Sequence, residues 1–325
     1  MDDRLTIHHP SRRRLLAALA RAGRAGLALG FAGPGAPQAA LARFAGQAAH
    51  EAGTPGATPP PSRAVVAQID HVVVESTDPA ALFTLFTEVL QLPVAWPFAA
   101  YPGFASGGAF LGNANVEALT LGDPATPTAA APGRAQLAAL AFEPAGTIAA
   151  AIAELERRGL RHEAPQEFPG PRGWVNVTVD GLVPGPAAFP PTFLVKYTFD
   201  QDWVRAELGQ DLLARGGGPL GLERLAEVVV GTTDPAAAAR RWQAFLTPIA
   251  PTESGYWMIG AGPALRLEAA AADAIRTLVL RVRSLATAER FLRERGLLGE
   301  AGDGWVALAL EATQGIAIRL CETCG

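Results

Sequence analysis

The stretch VVVESTDPAALFTLFTEVL begins at Val72, and VVVGTTDPAAAARRWQAFL begins at Val228. They repeat one pattern at an offset of 156 residues, with V-V-V, T-D-P-A-A and the final leucine identical. A chain that repeats a supersecondary unit buries the apolar face of each copy against another copy, so the repeat fixes the architecture before any single residue is considered. In each copy a β-branched run reads as a strand. Asp78 or Asp234, followed by proline, then supplies an N-cap with Pro at the first helical position. Both stretches are therefore one strand-to-helix unit.

A second echo lies between them. AIAELERRGL (151–160) matches AERFLRERGL (288–297), each a helix with apolar residues at helical spacing closed by Gly159 or Gly296. Tryptophan-led strands follow, WVNVTV from Trp174 and WVALAL from Trp305, and then final strands TFLVKY and GIAIRL. Four strand-helix-strands modules result, over about 65–123, 134–200, 222–270 and 274–322. They group into a first domain at 63–200 and a second at 222–325, joined by 201–221, which reads as a short amphipathic helix and a Gly-rich hinge.

The 325 residues and 49% hydrophobic content are enough to bury two cores. The formal charge is -4, and residues 1–63 hold eight arginines against Asp2, Asp3 and Glu51, so the remainder stands at -9. An acidic body without an aromatic-basic stripe argues against a nucleic-acid partner. No stretch reaches the roughly 20 apolar residues needed to span a bilayer. SRRRLLAALARAGRAGLALG resembles a bacterial twin-arginine export signal, which implies a periplasmic or secreted protein. Arg21 and Arg24 interrupt its apolar run, which leaves a cytoplasmic location open. EAGTPGATPPPS (51–62) completes a segment at 1–62 read as signal and disordered Pro/Gly linker. Cys321 and Cys324 form a lone CxxC at the extreme C-terminus, too few ligands for zinc; they read as free thiols on a frayed end, or as a local disulfide if the protein is exported.

The repeat, with IDHVVV, the DPAALFTLFTEVLQLPV helix, the glycine-rich YPGFASGGAFLGNANVEALTLG and the hairpin DGLVPGPAAFPPTFLVKY, resembles the vicinal oxygen chelate superfamily, the glyoxalase-like proteins. The resemblance covers nearly everything after residue 64. It implies an α+β fold of four βαβββ modules paired into two glyoxalase-like domains, each pair curled into a cup. It also implies a small-molecule ligand and, in those members that carry a metal, one divalent ion (Fe, Mn, Ni or Zn) held by first and fourth strands of paired modules; other members carry none. His71 on the first strand and Glu117 on the fourth match two such positions. The partner module offers Ala139 and Lys196 instead. In the second domain Glu227 stands for His71, with Arg266 and Arg319 at the fourth-strand positions.

Three readings of His71 stand at this level: a ligand in a reduced metal site, a base oriented by Glu117, or a satisfied polar residue with no chemistry. Lys196, the sole lysine, either faces the cup and takes the place of the metal's charge beside Glu117, or faces solvent. Tyr101, Asn113, Asn115, Trp174 and Asn176 are the further candidate lining residues, offering aromatic surface and amide hydrogen bonds. Two functions follow. One is an enzyme using His71 and Glu117, with or without a metal, as a lyase, isomerase or dioxygenase. The other is a non-catalytic protein whose metal-free cup sequesters a small molecule on Lys196. The second domain, without histidine, is expected to pack against the first or to support a homodimer.

Overall fold

The computed structural model describes residues 63–101, 104–122, 133–169, 173–183 and 191–324. The export signal and linker expected over 1–62 lie outside the described residues, as does the side chain of Tyr101. No helix among the described residues is long and apolar enough to cross a membrane.

The first module runs β1 (Val66–Ser76), α1 (Pro79–Thr84), β2 (Val94–Tyr101), β3 (Phe104–Phe110) and β4 (Asn115–Leu121). The second runs β5 (Ala135–Pro144), α2 (Ile148–Arg157), β6 (Gln166–Phe168), β7 (Trp174–Thr178) and β8 (Thr192–Tyr197). Asp78 caps α1 as the Asp-Pro pair predicts, its side chain accepting from the Ala81 amide at 3.1 Å. The eight strands make one sheet in the order β2-β3-β4-β1-β5-β8-β7-β6. Within each module the first and last strands pair in parallel, β1 with β4 and β5 with β8, and the modules join through the antiparallel pair β1 and β5.

After α3 (Gln201–Ala214) the pattern recurs in β9 (Leu222–Thr232), α4 (Pro235–Leu246), β10 (Tyr256–Trp257), β11 (Ala264–Ala269), β12 (Ala274–Val282), α5 (Leu285–Glu294), β13 (Leu298–Gly302), β14 (Trp305–Leu308) and β15 (Ala317–Cys321). This sheet has seven strands, β10-β11-β9-β12-β15-β14-β13, because the third module has two strands after its helix where the others have three. The shorter spacing between α4 and β11 leaves no length for another.

The helix-facing sides of both sheets share one apolar core, in which Phe142 of β5 packs on Trp242 and Phe245 of α4 at centroid distances of 6.0 and 5.2 Å. Arg158 ties the domains further, donating to the carbonyls of Ala244 and Phe245 at the C-terminal end of α4, both at 2.9 Å. A cation there also suits the helix dipole.

Two expectations for the joining segment change. The helix α3 forms, yet it is not amphipathic: Leu212 is buried, whereas Trp203 and Leu213 are exposed. Polar side chains hold it instead. The glycines after it are not a loose hinge. Gly218 has a positive φ of 64°, and a Cβ there would lie 2.3 Å from the Leu90 carbonyl oxygen, so glycine is needed for close packing. Cys321 and Cys324, expected as free thiols, are joined in a disulfide on a well-packed strand end, next to Val229 and Val279.

Candidate functional site

The concave face of the first sheet is set by alternation along its strands. Val73, Ala139, Ala141, Phe193, Val195, Trp174, Phe104 and Leu119 form its apolar cluster, while their strand neighbours face the helices. His71, two residues before Val73 on β1, belongs to this face. In the parallel ladder Asn115 pairs with His71 and Glu117 with Val73, which sets Asn115 and Glu117 beside His71.

What precedes His71 breaks the alternation. The β1 and β5 register skips Asp70 between Ile69 and His71, so Asp70 is a β-bulge residue. The bulge sends Ile69 to the helix-side core and lets two consecutive polar residues meet. Asp70 Oδ2 lies 2.7 Å from His71 Nδ1, with the aspartate side chain wholly buried. The bulge recurs in the second domain at Ala226, the counterpart 156 residues on. The fold supplies the bulge; only the first domain puts a carboxylate on it.

Asp70 is held from several sides. Tyr197 donates its hydroxyl to Oδ2 at 2.9 Å, Gln201 of α3 reaches Oδ1 at 3.4 Å, and Arg205 of α3 stands 3.6 Å from Oδ1. Burial works against ionisation of Asp70. The hydrogen bond and charge of His71, the Tyr197 hydroxyl and the Arg205 charge outweigh it, holding the carboxyl below the usual aspartate range. An ionised carboxylate only accepts, so His71 Nδ1 carries the proton and, in the neutral ring, Nε2 carries the lone pair. Nε2 lies 3.6 Å from Glu117 Oε2, beyond hydrogen-bonding distance. Glu117 itself accepts from Ser106, whose oxygen accepts in turn from Trp96 Nε1 at 3.3 Å. The edges of Trp96 and Phe193 stand against the imidazole, at centroid distances of 6.1 and 5.7 Å.

The structure thus brings His71, Glu117 and Asn115 together, and places Trp174 and Asn176 on the same concave face. Trp174 stacks on Phe168 at 5.0 Å, and Asn176 pairs with Val195 across the β7 and β8 ladder. Of the other three expected residues, two do otherwise and one lies outside the described side chains. Tyr101 ends β2 with its side chain undescribed. Asn113 is an interdomain clasp: its amide donates to the Ala261 carbonyl at 3.2 Å and accepts from the Leu225 amide at 3.1 Å. Lys196 is out of phase with Val195 and Tyr197; its ammonium is half-exposed and pairs with Glu143 at 3.5 Å, away from Glu117. The reading of Lys196 as a charge anchor beside Glu117 is therefore corrected. Asp70, Ser106, Tyr197 and Arg205 were not singled out from sequence.

No family model and no curated protein matches the chain. Among solved structures it is similar to the Mn(II)-bound glyoxalase from Novosphingobium aromaticivorans, with a TM-score of 0.51 and 12% identity over 79% of this chain and 82% of that one. It is also similar to homoprotocatechuate 2,3-dioxygenase from Arthrobacter globiformis, with a TM-score of 0.50 and 16% identity over 80% of each chain. An extradiol ring-cleaving dioxygenase from B. fuscum gives 0.50 and 13% over 82% of this chain and 74% of that one. The fold is that of the vicinal oxygen chelate superfamily. At these identities the likeness is one of fold, and the chemistry rests on the residues above.

In a vicinal oxygen chelate cup an ion would be held across both modules. Here the first module offers His71 Nε2 and Glu117, and the facing strands carry Ala139 and Ala141 on β5 and Phe193 and Val195 on β8. Among the described residues no three His, Cys, Asp or Glu side chains are grouped to hold an ion. A catalytic centre normally has about three protein ligands, so this donor set does not fit one. The second cup fits less well, since Glu227 is taken by Arg266 in a two-pronged pair at 2.7 and 2.9 Å.

Proposed function

We propose that the first-domain cup binds a small organic molecule and moves a proton on it, as an isomerase or lyase does, with His71 as the base. One observation carries the reading: His71 Nδ1 is locked by a fully buried Asp70, on a bulge that the second domain fills with Ala226. A structural histidine does not need a buried charge, whereas a base does need its tautomer and ring plane fixed.

In this mechanism Asp70 is a positioning residue that leaves the Nε2 lone pair facing the cup. Nε2 takes a proton from a ligand carbon or oxygen, and Asp70 stabilises the imidazolium that forms. Glu117, held by Ser106, accepts a hydrogen bond from a ligand hydroxyl or amide and fixes its orientation. The same His71 Nε2 then returns the proton to a neighbouring atom, or a leaving group departs with the electron pair. His71 and Glu117 alone do not complete a metal site, and the proton transfer needs only the side chains named here.

The test is solvent-deuterium incorporation. Wild-type protein is incubated in D2O with small hydroxyketones and ketoamides, and their C–H signals are followed by NMR. Exchange is expected with wild type, lost in His71→Gln, and slowed by about 10⁴-fold in Asp70→Asn, the cost when an amide replaces the carboxylate that fixes the tautomer of a histidine base. A compound that shifts the His71 resonances on binding, exchanges no proton, and binds His71→Gln equally well would replace this reading with a binding protein.

A further inference from the structure

Two buried acceptors on the first cup have nothing to accept from. Asn115 and Asn176 are each more than nine-tenths buried, and the side-chain oxygen of each lacks a hydrogen-bond partner. Both belong to the concave face: Asn115 pairs with His71 on the β1 and β4 ladder, and Asn176 with Val195 on the β7 and β8 ladder. Leaving a buried amide oxygen unpaired costs stability, and native folds rarely carry such groups without a use. The second concave face shows the contrast, with Glu227 satisfied by Arg266 and by the Tyr256 hydroxyl at 3.4 Å.

The charge around the first cup points the same way. Among the described strand positions of this face there is no Lys or Arg, while Glu117 stands on it. The cations at its edge are already matched by acids. Arg205 lies 3.0 Å from Glu143, 2.7 Å from Asp202 and 3.6 Å from Asp70, and Lys196 lies 3.5 Å from Glu143. An anion entering here would meet acceptors and a carboxylate with no free cation, a costly arrangement in a cup walled by Phe104, Phe193 and Trp174.

Resting on the proposed reading of this cup as a small-molecule site, we infer that its ligand is neutral or cationic and donor-rich. An apolar or aromatic body lies against the ring-lined wall, and N–H or O–H groups reach Asn115, Asn176 and Glu117. Small carboxylates and phosphates are turned away.

The test compares benzylamine, benzamide and benzoate, three probes of one shape that differ in charge and donors, by protein-observed NMR titration of the full chain. Benzylamine and benzamide are expected to shift His71 and the two asparagine side-chain amides, and to bind at least about tenfold more tightly than benzoate. Asn115→Leu and Asn176→Leu should each weaken them by about tenfold. The same substitutions remove an unpaired buried acceptor, so each should hold or raise the melting temperature, by about 2–4 °C. A purely structural asparagine would give a lower melting temperature and unchanged binding, and that result overturns the inference. Benzoate binding as tightly as the other two overturns it as well, as does failure of all three to bind up to their solubility limits. Binding of Mn(II) that depends on Asn115 would assign its oxygen to an ion and likewise overturn it. Selective binding of the amine and amide without any proton exchange would remove the proposed chemistry and leave the ligand class standing.

Discussion

Asp70→Ala is the substitution whose outcome separates a working histidine from an incidental one. In the native protein the buried carboxylate accepts from His71 at 2.7 Å and from Tyr197 at 2.9 Å and lies 3.6 Å from Arg205. Two hydrogen bonds to a charged acceptor contribute about 1.5–3 kcal/mol each. Against this stands the several-kcal/mol cost of burying the carboxylate itself. Arg205 keeps Glu143 and Asp202 after the change, so no cation is stranded. The net loss is then about 2–4 kcal/mol, or roughly 5–15 °C in melting temperature for a domain of this size. Collapse of the bulge does not enter, because Ala226 occupies the same bulge in the second domain with no carboxylate.

Calorimetry checks the magnitude, and nitrogen NMR of the His71 ring checks the mechanism. Wild type should hold the proton on Nδ1, and the variant should lose that preference. The pH dependence follows from the sign of the shift. The folded Asp70 carboxyl titrates below its reference value of 3.8, so its ionisation stabilises the fold above about pH 4, and that contribution is lost as the pH falls through the lowered folded value. The advantage of wild type over Asp70→Ala should narrow on the acid side, below about pH 4. A variant that melts within a degree or so of wild type and keeps the proton on Nδ1 would refute the reasoning, since His71 would then be oriented by something other than Asp70.

Gly108→Ala would put a Cβ 2.5 Å from the Trp96 ring, so the indole must leave the Ser106 hydroxyl; a loss of about 1–3 kcal/mol and altered tryptophan fluorescence are expected, and an unchanged emission spectrum would show that Trp96 is not fixed there. Elemental analysis of protein purified without chelator should find well under one equivalent of transition metal after gel filtration, with no Mn(II)-induced rise in melting temperature, because tight binding to the native state would stabilise it. A full equivalent that disappears in Glu117→Ala would show that His71 and Glu117 have a third ligand.

The architecture was legible because repeated local signals agree. The Asp-Pro caps at 78 and 234, the β-branched runs ahead of them and the glycine-ended second helices all point to one module, and nothing in the tertiary structure overrides them. Facing was harder to read. In TFLVKY the residues of both parities are largely apolar, since β8 is covered on both sides, so alternation carries no phase and Lys196 could be placed on either face. The bulge at Asp70 is hidden in the sequence for a related reason: one inserted residue inverts the phase of everything before it, so Ile69 and His71 look like neighbours on one face and are not. A trace of it was present. Two consecutive polar residues, Asp70 and His71, stand where strict alternation allows one, although the copy, with Ala226 before Glu227, does not repeat that sign.

The two domains serve as controls for each other. Both keep the bulge and the parallel pairing of first and last strands, with Glu117 paired to Val73 and Arg266 to Val229 at matching registers. What the fold requires is common to both; what differs is a matter of use. In the second cup the residue that stands for His71 is itself satisfied: Glu227 takes both prongs of Arg266, and Arg266 stacks on the Tyr256 ring at 4.7 Å. Burial, followed by the nearby Glu227 charge, pushes the Tyr256 hydroxyl above its ordinary range and keeps it a donor. The first cup leaves an imidazole nitrogen short of hydrogen-bonding distance from its carboxylate and two buried amide oxygens unpaired. Open valences of that kind destabilise a fold that has no occupant for them, and at the position of His71 the paired copy has none, since Glu227 is matched by Arg266. The proposed chemistry is therefore placed in the first domain, whose helix-side core the second domain shares.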